Sequence, residues 1–219
     1  MNRIIPIIIA IVIGVAGGAY YLSQSGGNSA TAQTTIDTPQ ASDVDTSGIQ
    51  DMILGDADAP ITVIEYASFT CPHCASFHAT TYPKLKADYI DTGKVKFVFR
   101  EVYFDRFGLW ASLIARCGGQ ERFFGITDLL FKGQSDWSRA GDPVAIADSI
   151  RKVGRLAGLG DEQLQSCLQN EDEAKALVAW YQNNAAKDNV TGTPSFVING
   201  EKFSNMSYAD FKKTLDGML

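Results

Sequence analysis

Hydrophobic positions along the chain change period several times, and each change marks an element. Ile61-Thr62-Val63-Ile64-Glu65-Tyr66-Ala67 is β-branched and mostly apolar, the pattern of a buried strand. Lys94 to Val102 repeats it. Between them the residues after Thr70 read as a helix that bends near Pro83, which has no N–H to donate. Strand, crossover helix and strand predict a right-handed βαβ unit. From about residue 105 to 189 the period is helical. Asp142-Pro143 is a start signal, Asp161 opens a short helix, and Ala174, Leu177, Val178 and Tyr181 mark a longer one. This stretch is too long for a crossover and predicts a helical insertion. Ser195-Phe196-Val197-Ile198 and Glu201-Lys202-Phe203 flank Asn199-Gly200, a hairpin turn signal. A last helix runs from about Tyr208 to Gly217.

The N-terminus behaves differently. Ile4 to Leu22 is nineteen residues without a charge, preceded by Arg3. That length suits a bilayer span with its N-terminus inside and the remainder exported. An uncleaved anchor is preferred over a cleaved signal, because the signal-peptidase-like Ala30-Thr31-Ala32 lies far beyond the apolar run. Residues 23–50 are rich in Ser, Thr, Gly, Gln, Asp and Ala, have no apolar face, and read as a flexible linker. The expected organisation is a signal peptide or anchor at 1–22, the linker at 23–50, and one globular domain at 51–219. A net charge of −6 without a basic patch argues against nucleic acid as a partner.

Cys71-Pro72-His73-Cys74 carries the chemistry. It follows a strand and opens a helix. With Cys71 as N-cap, Pro72 falls at N1, where its missing N–H costs nothing. The Cys74 N–H is then an unpaired first-turn donor facing the Cys71 sulfur, and the helix dipole adds positive charge there. Both favour a Cys71 thiolate, with a pKa well below the free value of about 8.5. Protonated His73 would stabilise it further. Cys74, less exposed, is expected to stay a more ordinary thiol. Residues three apart on a helix can form a disulfide. Half of a zinc site is the first competing reading; His78 would complete a Cys-x-x-Cys-x-x-x-His set, although a lone helical histidine is more often solvated. Two structural cysteines are the second.

At these residues the chain resembles the DsbA branch of the thioredoxin superfamily. The resemblance runs from Ile53-Leu54-Gly55-Asp56 to the C-terminus and is densest over Val63–Cys74, where Pro-His between the cysteines is the dipeptide of DsbA-type oxidases. It implies an α/β thioredoxin-like fold with an inserted helical subdomain behind the N-terminal signal or anchor helix. It implies an extracytoplasmic thiol:disulfide oxidoreductase, periplasmic or held at the inner membrane. Such an enzyme oxidises reduced polypeptides through Cys71 and Cys74, is reoxidised by a DsbB-like membrane partner, and needs no metal or organic cofactor. It also implies that Thr193-Pro194 is a cis peptide beside Cys71, where a substrate strand can pair; by base rate alone, Pro194 would be trans. Thr193 departs from the valine usual in enterobacterial oxidases, and its hydroxyl is a candidate donor to the Cys71 sulfur.

Glu65 is either at a solvent-facing edge or buried for a reason. The resemblance implies a buried acid near Cys74 that exchanges its proton. Cys117 and Cys167 remain after the 71–74 spacing, either as a staple closing a fifty-residue loop or as two buried reduced thiols. Some DsbA relatives carry such a second bond. A disulfide isomerase or reductase is the alternative enzyme, and a tethered peptide-binding chaperone the alternative from another class.

Overall fold

The computed structural model describes residues 44–219. The proposed span at 1–22 and most of the linker lie outside them. Among the described residues no helix is long and apolar enough to cross a membrane.

Five strands form one mixed sheet: β1 Met52–Leu54, β2 Ile61–Ala67, β3 Val95–Glu101, β4 Ser195–Ile198 and β5 Glu201–Ser204, in the order β1-β3-β2-β4-β5. β2 and β3 are parallel, and every other pairing is antiparallel. Parallel neighbours need a long crossover. Here it is α1 Pro72–Thr80, the short α2 Tyr82–Leu85, and a π-helical turn at Lys86–Ile90. The helix breaks at Thr81, two residues before Pro83, and restarts with the proline in its first turn. A proline there cannot bond the carbonyl four residues back, so the break falls ahead of it.

The insertion comprises α3 Arg106–Cys117, α4 Gly119–Lys132, α5 Gln134–Trp137, α6 Pro143–Leu156, α7 Asp161–Leu168 and α8 Glu171–Lys187. Asp105 and Asp142 cap α3 and α6 by accepting from two backbone amides each. Asn199 and Gly200 both have positive φ (47° and 89°), as a two-residue hairpin of the I′ kind requires. α9 Tyr208–Asp216 closes the chain.

Strand alternation sorts the sheet into two faces. Ile61, Val63 and Ala67 of β2 with Phe97 and Phe99 of β3 enter the main core, together with Cys74 and Phe77 of α1 and residues of the insertion. Tyr66, Val102 and Val197 form a smaller core on the other face. Glu65 pairs in register with Phe99 and Phe196, so it faces the main core from a central strand and is fully buried. The solvent-edge alternative therefore does not hold.

Two features were not legible beforehand. β1 is three residues long, too short to show a period. Gln50, the last residue assigned to the linker, is already tied to the domain: its carbonyl accepts from Arg116 Nη1 at 3.0 Å, beside Asp51, which accepts from Nε and Nη2 of Arg100 at 2.8 and 2.9 Å.

Candidate active site

Cys71 ends the turn after β2 in an extended conformation (φ −84°, ψ 118°), with Pro72 opening α1. Its N–H bonds Ser68 O at 3.1 Å, and its carbonyl accepts from Ala75 N at 3.2 Å. The turn is also held from outside. Gln134, buried at the start of α5, donates through Nε2 to Phe69 O at 2.7 Å and to Cys71 O at 2.9 Å. Thr70 Oγ1 donates to Asp105 Oδ2 at 2.8 Å. Insertion residues thus grip the loop that aims Cys71.

Both cysteines are free thiols, so the structure is that of the reduced couple. Cys71 is 7% exposed and Cys74 not at all. The Cys71 pKa is pulled down to about 5. The leading cause is the Cys74 thiol donating to the Cys71 sulfur; burial opposes it, and the Thr193 side chain and the amides of Cys74 and His73 assist. No first-turn amide makes a full capping hydrogen bond to the sulfur. The expected acidity is present, but its main source is the partner cysteine rather than the helix end. His73 is exposed and contributes through its backbone N–H.

Cys74 is not the ordinary thiol expected. Burial pushes it well up, and the Cys71 sulfur and the Glu65 charge push it further. The two thiols therefore have opposite preferences: one holds negative charge, the other holds a proton.

Thr193-Pro194 is a cis peptide. The Thr193 carbonyl lies 3.5 Å from Cys71 Sγ, where a protonated thiol donates to it. Thr193 Oγ1 is buried without a full hydrogen bond, and the Cys71 sulfur is the group it influences. Thr193, Pro194, Cys71 and Cys74 come together as one site at the ends of β2 and β4.

Beneath Cys74 the sequence reading needs correction. His78 is neither solvated nor joined to the cysteines. It is buried, with Nε2 2.9 Å from Glu65 Oε2, because the aromatic rings of Phe131 (centroids 4.2 Å) and Tyr82 (4.6 Å) enclose it. Glu65 Oε1 is buried with no partner. Among the described residues no cluster of His, Cys, Asp and Glu is arranged to hold a metal ion. Gln134 is the other contributor that sequence reasoning missed; a glutamine sixty-three residues from Cys71 carries no local signal.

Cys117 and Cys167 are bonded to each other, S–S 2.10 Å, joining the end of α3 to the end of α7. They take no part in the site, and the reduced-thiol alternative does not hold in this structure.

Comparison with known proteins decides the family. A thioredoxin family model matches residues 47–217. Disulfide bond formation protein D of Bacillus subtilis is 30% identical over 179 residues, 76% of this chain and 76% of that protein. The chain belongs to the DsbA-type branch of the thioredoxin family. Another relative, a putative protein-disulfide oxidoreductase of Rickettsia bellii, is 36% identical over 167 residues, 76% of this chain. The alignment spans 63% of that relative's length. The DsbA fold is also matched in a crystal structure of Wolbachia pipientis alpha-DsbA1: TM-score 0.71, 28% identity, 77% of this chain and 90% of that one.

Proposed function

We propose that this chain is an exported thiol:disulfide oxidoreductase that introduces disulfides into reduced polypeptides through Cys71 and Cys74. The observation that carries the reading is the opposed pair of thiols, Cys71 held near 5 and Cys74 pushed up, beside a cis Thr193-Pro194. A low-pKa sulfur is a good leaving group and stabilises the reduced form, which makes the disulfide oxidising. Each pKa unit of thiolate stabilisation, about 1.4 kcal/mol, corresponds to about 30 mV.

In this scheme a substrate thiolate attacks Cys71 Sγ. The 71–74 bond breaks, and its electron pair goes to Cys74, which takes up a proton. A second substrate thiol, deprotonated, attacks the substrate sulfur of the mixed disulfide and releases Cys71 as a stable thiolate. Pro72 sets the helix start and His73 supplies an amide. Glu65 exchanges the Cys74 proton, and Thr193 with Pro194 receives the substrate strand. The Cys117–Cys167 bond staples the insertion, an effect of about 2–4 kcal/mol. Electrons leave to a DsbB-like membrane partner. Export by the segment at 1–22 and tethering by the linker up to residue 50 keep the couple in an oxidising compartment.

An equilibrium titration against glutathione tests this. A potential near the oxidising end of the family, about −120 mV, agrees with it, and one near −270 mV contradicts it. Isomerase or reductase activity is the second reading. Thr193 favours it, since a donor at the Cys71 sulfur alters release of the mixed disulfide; reshuffling of a scrambled substrate distinguishes the two.

A further inference from the structure

The exchange just described uses Glu65 but gives His78 no part. Cys74 is fully buried, so its proton has no direct path to water. Cys74 and His78 are four residues apart on α1 and therefore share a face. Both are buried against the sheet, where Glu65 is the only charged residue of β2. Glu65 spends one oxygen on His78 and keeps Oε1 buried without a partner. A buried carboxylate oxygen left unpaired demands an explanation, and proton exchange with the neighbouring thiol supplies one.

Although buried, His78 borders a groove of about 580 Å³ together with Ala79, Tyr82, Phe124, Asp128 and Lys132. Its side chain keeps 4% of its surface exposed. The groove has a polar edge, where Lys132 Nζ bonds Asp128 Oδ2 at 2.6 Å and Lys86 lies nearby. An imidazole bonded to a buried acid and bordering open space can hand protons from one to the other.

We propose that His78 relays the Cys74 proton between Glu65 and water in this groove, away from the side where substrate binds. The inference rests on the oxidoreductase reading. As substrate thiolate joins Cys71 Sγ, the 71–74 bond breaks and leaves its electron pair on Cys74. Glu65 gives Cys74 a proton, and His78 passes one from groove water to Glu65. One proton enters for each mixed disulfide formed, and the reverse reaction expels it by the same path. The charged and titratable groups around the pair are Cys74 on α1, Tyr82 on α2, Lys86 after it, and Asp128 and Lys132 on α4. The neighbouring strands set only Phe99 and Phe196 against Glu65.

His78 acts through Glu65 and is a positioning residue, so its test must separate proton transfer from packing. The oxidised full chain is mixed with reduced glutathione, and mixed disulfide at Cys71 is followed by rapid quenching across the acid and neutral range. H78Q keeps a hydrogen bond to Glu65 but cannot relay a proton. It is expected to slow the step at least about tenfold at neutral pH, flatten its pH profile, and move the equilibrium far less than the rates. H78A should be equally slow and should recover with imidazole, which fits the groove. Pyrazole, of the same shape but a far weaker base, should not restore it. A wild-type rate and pH profile in H78Q, or equal rescue of H78A by pyrazole, overturns the relay alone. Absence of any Cys71 mixed disulfide in the wild-type chain removes the oxidoreductase reading, and the relay with it.

Discussion

Glu65 and Glu101 lie on the same face of the sheet, on neighbouring strands, at 0% and 1% exposure. Their treatment differs. Glu101 takes a two-point bond from Arg116, Nε–Oε1 at 2.6 Å and Nη2–Oε2 at 2.7 Å, so both oxygens are satisfied by a permanent cation. Glu65 has one histidine and an idle oxygen. A buried acid with both oxygens held by arginine serves to lock α3 onto β3. A buried acid half-satisfied by a histidine, next to a thiol that burial keeps protonated, is equipped to move a proton. Burial alone does not separate structure from chemistry here; the completeness of the hydrogen bonding does.

The largest expected effect falls on the saturated side. Arg116→Met should cost about 3–5 kcal/mol in chemical denaturation, because it strands the Glu101 charge in the core. The surviving folded protein should keep its Cys71 acidity. A loss below about 1 kcal/mol would mean the pair is not the lock described.

Glu65→Gln should show the inverse pattern. The Cys74-dependent step should slow on the order of a hundredfold, while stability changes by less than about 1 kcal/mol. Equal rates from acid to neutral pH would place Glu65 beside Glu101 as a structural acid and end the contrast.

A third test uses linkage. The Cys71 pKa is depressed in the folded reduced protein, so ionisation stabilises that state. The gain is fully present above the unfolded thiol value of about 8.5 and is lost as pH falls through the folded value. The oxidised form has no such thiol to titrate. Reduced protein should therefore gain on oxidised protein as pH rises from about 5 towards the unfolded value, measured by paired urea denaturations. A constant difference would contradict the thiolate account. Smallest of all, Thr193→Val should raise the Cys71 pKa by less than about one unit, since that hydroxyl is an assisting donor and not the leading one.

Much of this architecture was legible before the structure. Ile61–Ala67 announces itself by β-branched residues and occupies those positions as β2. Asp142-Pro143 and Asn199-Gly200 act through local backbone chemistry, and local chemistry survives folding. What escaped notice depends on distant neighbours. His78 looks like a surface histidine because α1 has no single apolar stripe; it is covered on several sides by rings from α2, α4 and β3. Gln134 and the Arg116–Glu101 lock likewise exist only once the insertion folds back on the sheet. The helix start predicts a low Cys71 pKa, yet its leading cause is the Cys74 thiol, a contact that spacing allows but does not rank.

The central claim is that Cys71 is an anion at neutral pH in the reduced protein. Ultraviolet thiolate absorbance of the reduced chain, followed against pH and referenced to a Cys71→Ser variant, measures it directly. A midpoint of about 5 that disappears in the variant is the predicted result. A midpoint near 8.5, that of a free thiol, would contradict the account.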